Sequence, residues 1–228
     1  MNLRSRLPLL ALISGALLFT LVPAPAHAEG IVGQAVSQLS ISWPWYLVRA
    51  SGLVAAGCLL LIVLSGIGFI TGHTFKLIQP IAGWATHRAL GIAMTVSLLV
   101  HMTMLLFDRF VPFSLAAVLV PFVSTYRPAE LAGVSVGSIY VAYGVIAFYA
   151  ITLIVLTSLI WIEQKVRIWR LIHFLSYLVA VLVFFHALML GTDLQHGILR
   201  TLWIGAGTLF LVAVVARLWR AGTLDRND

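Results

Sequence analysis

The sequence predicts an all-α integral membrane protein: a bundle of five transmembrane helices after a signal peptide, six if that peptide is uncleaved, with a short interfacial segment. Three observations predict it. Of 228 residues, 61% are apolar or aromatic and only 9% are charged, where an average soluble domain has roughly 25% charged residues. Mean hydropathy is +1.07. Five separate apolar runs each approach the ~20 residues that a bilayer-crossing helix needs.

In chain order, residues 1–28 begin basic at Arg4 and Arg6, continue apolar from Leu7 to Val22, and end in Ala26-His27-Ala28, the small-x-small form of a signal-peptidase site. The apolar stretch is near the short end of what spans a bilayer, so an uncleaved first helix is the other reading. Either way the segment 29–44 lies outside. Spans follow at 45–71, 84–107, 136–161, 168–190 and 198–219, and together they make one domain, 45–219, with a tail at 220–228. Between the second and third spans, the apolar stretch 111–123 is too short to cross and carries Pro112 and Pro121, so 108–135 reads as interfacial or re-entrant.

The net charge of +7 is the balance of 14 Lys and Arg against 7 Asp and Glu. The basic residues are spread singly between apolar runs, which excludes a nucleic-acid-binding face. They serve orientation instead: ten fall on the cytoplasmic side and four, Arg49, Arg109, Arg127 and Arg200, outside, with the N-terminus cytoplasmic before processing. All seven Trp lie near span ends, as in an aromatic belt. The single Cys58 excludes an intrachain disulfide and any Cys-ligated zinc or iron–sulfur site within one chain.

Histidine carries the chemistry. An imidazole in hydrocarbon is costly and needs a partner, and four of the seven His lie in spans: His87 and His101 on the second, His173 and His186 on the fourth. These two helices run parallel, because one span separates them. The steps of 14 and 13 residues correspond to about 21 Å and 19.5 Å of helix, which places one histidine near each face of a ~30 Å core. His87 is then level with His173, and His101 with His186. Zinc wants four protein ligands, or three and a water, and no Cys, Asp or Glu sits at either depth. A haem needs only two axial ligands, so two haems b are the economical reading; four histidines hydrogen-bonded inside the bundle are the alternative. One angular discrepancy remains. At ~100° per residue a 14-residue step returns within about 40° of one face, whereas a 13-residue step misses by about 140°, so the fourth helix must bulge, rotate or present its ligands from different sides.

The two pairs, within Trp84-Ala-Thr-His87-Arg88-Ala-Leu-Gly91 through His101 and Trp169-Arg170-Leu-Ile-His173-Phe-Leu-Ser-Tyr177 through His186, resemble the ferric reductase-like transmembrane domain. That superfamily includes NADPH oxidases, ferric reductases and the haem membrane subunit of the bacterial periplasmic methionine sulfoxide reductase system. The resemblance implies that His87, His101, His173 and His186 ligate haem iron and that electrons pass from the cytoplasmic to the outer haem. The expected location is a bacterial-type inner (plasma) membrane. Val48-Arg49-Ala50 resembles an Arg-Ala of the same superfamily that lies close to haem.

Arg49 is therefore a candidate partner for the outer haem's propionates, with interfacial snorkelling as the alternative. Arg88 and Arg170 lie near the cytoplasmic-side histidines, where membrane anchoring explains them equally well. His73 and His196 fall in loops, and His196 with Asp193 is a weaker candidate for an acceptor metal. The chain reads as the haem electron-transfer subunit of an oxidoreductase. No segment has room for a flavin or nicotinamide domain, so the donor is a cytoplasmic flavin reductase or a membrane quinol. The acceptor is an outer protein or ferric ion. A ferric or metal reductase completing its reaction outside, or a subunit of a methionine sulfoxide reductase-like system, are the alternatives.

Overall fold

The computed structural model describes residues 26–72, 76, 78–136 and 138–224. Most of the expected leader, His73 and the last four residues of the tail lie outside the described residues. The chain divides between Trp43 and Pro44 into two compact units. The described part of the first, from Ala26, is helical, so the segment expected outside at 29–44 is helix.

Helix α1 (Ala26–Ile70) carries Pro44 inside it. Helix α2 (Pro80–Leu105) starts four residues before the expected span, because Pro80 stands at its first position after the extended Gln79. There the fixed φ and missing N–H of proline cost nothing. The expected interfacial segment folds as a five-residue helix, α3 (Leu115–Leu119), and a two-stranded antiparallel hairpin, β1 (Ala129–Leu131) with β2 (Val134–Val136). Sequence reasoning did not find that hairpin. Its turn, Ala132-Gly133, has φ of 51° and 79°, the two left-handed positions of a tight hairpin loop, and an alanine at the first of them hides the usual Asn-Gly signal.

Helix α4 (Ile139–Ile160) is capped by the fully buried Ser138, whose hydroxyl accepts from the Val141 N–H at 3.3 Å. The fourth span is two helices, α5 (Val166–His173) and α6 (Ser176–Leu190). At the junction Leu175 N–H donates to Ile172 O at 3.0 Å and Tyr177 N–H to Phe174 O at 3.2 Å, both i→i−3 bonds. A 3₁₀ turn (Thr192–Leu194) leads to α7 (Gly197–Leu224).

Five stretches, Ser42–Ile70, Pro80–Leu105, Ile139–Ile160, Val166–Leu190 and Gly197–Trp219, are long and apolar enough to cross a membrane. Large apolar side chains such as Ile81, Leu159 and Leu171 are exposed on them, as lipid-facing side chains must be. The chain is a multi-pass membrane protein. Each span contributes to one buried layer: Leu59, Val63 and Ile67 of α1, Met94 of α2, Ala147 and Ile151 of α4, Val179 of α6 and Phe210 of α7. Met94 is seven residues from both His87 and His101, so this layer fills the bundle between the two histidine levels.

Candidate functional site

The structure brings the four histidines together in the two pairs expected from their depth. The ring centroids of His87 and His173 are 6.4 Å apart, and those of His101 and His186 are also 6.4 Å apart. The break at Phe174-Leu175 removes the angular discrepancy, because it separates the helix that presents His173 from the helix that presents His186. The two no longer share one helical phase.

The common spacing has a chemical meaning. An imidazole nitrogen sits about 2 Å from a bound metal ion, with the ring centroid roughly 1 Å behind it. Two imidazoles on opposite sides of one ion then have centroids about 6 Å apart. No group of three or more His, Cys, Asp or Glu able to hold a metal occurs among the described residues. Two protein ligands facing across a gap suit an ion whose remaining ligands come with it, as a porphyrin supplies them. The donor set fits haem.

The two sites differ in how the rings are held. In the second pair both rings bond to main chain: His101 Nδ1 lies 2.8 Å from Val48 O, and His186 Nδ1 lies 2.8 Å from Tyr140 O. A carbonyl only accepts, so each Nδ1 carries the proton and each Nε2 keeps a lone pair able to ligate a metal. In the first pair His87 Nδ1 meets Ser65 Oγ at 3.1 Å, whereas the buried His173 Nδ1 makes no hydrogen bond. Aromatic rings surround that first pair instead, with Trp84 and Phe69 at 6.3 and 5.5 Å from His87 and Trp169 at 5.1 Å from His173. Trp169 is fixed by its indole N–H, which donates to Ser158 Oγ at 3.0 Å.

His101 and His186 face a cleft whose empty volume, mouth included, is about 1500 Å³, bounded also by Trp45, Arg49, Phe113, Tyr126 and Asp193. A family model described as ferric reductase like transmembrane component matches residues 51–184, more than half of the 228-residue chain. The chain belongs to this family. Searches of characterised proteins and of solved structures returned no match.

In this ferric reductase-like component the matched region contains His87, His101 and His173, while Arg49 and His186 lie two residues beyond its ends. Arg49 borders the cleft, with its guanidinium 4.0 Å from the Trp45 ring centroid. Its partner is Asp193, which sequence reasoning had set beside His196: Arg49 Nε donates to Oδ2 at 2.7 Å, and a terminal nitrogen meets Oδ1. That hydrogen bond holds the Asp193 carboxyl below the usual carboxylate range. His196, Arg88 and Arg170 are exposed. Arg217, on α7, bonds the Tyr177 hydroxyl and lies over the Phe174 ring, at the break in the fourth span.

Reading the sequence alone missed several residues that shape the site. Trp84 and Trp169 were read as belt residues, yet they precede His87 and His173 by three and four positions, the spacing that puts two side chains on one helix face. Gly52, one of several glycines in its span that suggest close helix contact, does meet a neighbouring ring, whereas Ser65 and Gly144 carry no comparable local signal, because their role depends on which helix packs beside them.

Proposed function

We propose that the chain carries electrons across a membrane through two haems b, one between His87 and His173 and the other between His101 and His186. The equal spacing of two histidine pairs at two depths is the observation that carries this reading. Membership of a family that typically binds haem supports it. Each bound haem supplies a one-electron carrier whose iron has no open position, which suits relay and not oxygen activation. The histidines fix the carriers, and the layer around Met94, Ala147 and Val179 keeps water from the space between them.

The excess of Lys and Arg at the His87 end sets that end in the cytoplasm of a bacterial-type plasma membrane. A cytoplasmic flavin reductase or a membrane quinol donates there, since the loops between spans are too short to fold around a nicotinamide. An outer protein or ferric ion accepts at the His101 end, where Arg49, paired with Asp193, borders the cleft and would lie near the haem propionates. A metal site made by His196 with Asp193 is less favoured, because Asp193 is already engaged by Arg49.

The test is a haem count and a reduced-minus-oxidised spectrum on the purified chain, followed by reconstitution in vesicles enclosing a ferric acceptor. Two low-spin b haems per chain are expected, with reduction by NADPH only when a flavin reductase is added. Absence of a Soret band, or reduction by NADPH alone with contaminating reductase excluded, would overturn the proposal.

A further inference from the structure

We infer that Gly52 and Gly144 are positioning residues for the outer pair: by leaving one main-chain carbonyl open beside each, they let His101 and His186 lock as Nδ1–H tautomers against the backbone. The inference rests on the haem reading above and adds to it a division between the two sites.

Each carbonyl that receives a ring belongs to the residue four positions before one of these glycines: Val48 before Gly52 on α1, and Tyr140 before Gly144 on α4. In an α-helix the side chain at i+4 stands over the carbonyl of residue i. That carbonyl keeps a second lone pair beyond its helical bond, and a glycine at i+4 exposes it to a ring from a neighbouring helix. The fit leaves no room for more. A Cβ added at Gly52 would lie 2.9 Å from His101 Nδ1, and one at Gly144 would lie 2.6 Å from His186 Nδ1. Both rings would be forced off their carbonyls. The same device occurs twice, on two different helices, and serves both members of one pair.

The inner pair does not use it. A Cβ at Gly66 would stand 3.8 Å from His87 Cε1, ordinary contact, and His87 bonds a serine hydroxyl while His173 Nδ1 bonds nothing. A ring N–H donated to a carbonyl makes the opposite nitrogen a more basic ligand, which favours ferric over ferrous iron. The glycines therefore hold the outer midpoint potential down, and loss of either carbonyl bond raises it.

The experiment is a redox titration of the b-type bands of the purified full chain for the wild type, Gly52→Ala, Gly144→Ala, Gly66→Ala and Gly57→Ala. A Cβ at Gly57 meets nothing within 4 Å, so that variant controls for alanine in a span. Expected is an upward shift, or complete loss, of one of two components in Gly52→Ala and Gly144→Ala, the same component in both, with both components intact in the two controls. Electron–nuclear double resonance on the wild-type outer haem keeps the proposal testable if an alanine variant does not accumulate. Two ring N–H protons that resist exchange into D₂O are expected, and rapid exchange of both overturns it. Unchanged titrations in Gly52→Ala and Gly144→Ala, with two haems present, overturn this inference alone. A wild-type chain without haem overturns it together with the relay reading.

Discussion

Arg49, on the first span, holds Asp193, 144 residues further along the chain, with Nε donating to one carboxylate oxygen at 2.7 Å and a terminal nitrogen meeting the other. The pair closes one wall of the cleft that His101 and His186 face. A forked contact of this kind fixes orientation as well as charge, so the arginine is held in the cleft wall.

The two charges should move the outer midpoint potential in opposite directions. Arg49→Gln removes a cation that favours the extra electron, and the outer midpoint should fall. Asp193→Asn removes an anion, and the midpoint should rise, each by an amount on the order of 1 kcal/mol. A redox titration of both variants checks this, and equal midpoints in all three proteins would leave the pair a structural tie only.

Asp193 also predicts a pH dependence. Its carboxyl sits below the ordinary range, first through the hydrogen bond from Arg49. A carboxyl depressed on folding gives stability that is full above its unfolded value near ~3.9 and is lost as pH falls through the folded value. Asp193→Asn should therefore melt earlier in detergent by an amount that is constant from about pH 8 to about pH 5 and shrinks below about pH 4. With both groups partly exposed, the loss should be about 1 kcal/mol.

Single alanine variants of the histidines should sort by pair. His87→Ala and His173→Ala should remove one and the same haem, and His101→Ala and His186→Ala the other, each halving the haem content. If His87→Ala and His186→Ala removed the same component, the pairing by depth would be wrong.

The break at Phe174-Leu175 makes the two histidines of the fourth span independent in phase. One alanine inserted between Val183 and Phe184 turns His186 by about 100° and leaves the chain before it in place. The outer haem should be lost and the inner one kept, as read by haem content and the remaining spectrum.

Ala147 is 1% exposed and lies in the layer between the histidine levels. Ala147→Leu should overpack that layer and lower thermal stability in detergent by about 1–3 kcal/mol. A melting curve matching the wild type would show that the layer yields more easily than a packed interior does.

Helix number, span positions and the matching of His87 with His173 and His101 with His186 were all legible in the sequence. Each depends on one-dimensional quantities: apolar length against bilayer thickness, and residues of rise against depth. What the tertiary structure alone decided depends on rotation and on neighbours. The angular mismatch of the 13-residue step requires some irregularity in the fourth span, but its place, at Phe174-Leu175, is set by backbone bonds and has no proline or glycine to announce it. Asp193 finds Arg49, Trp169 finds Ser158, and the rings of His101 and His186 find the carbonyls beside Gly52 and Gly144 only once the helices have packed. Depth is set by the membrane and can be counted along a chain, whereas the azimuth of each helix is set by close packing against the others, which no single segment contains.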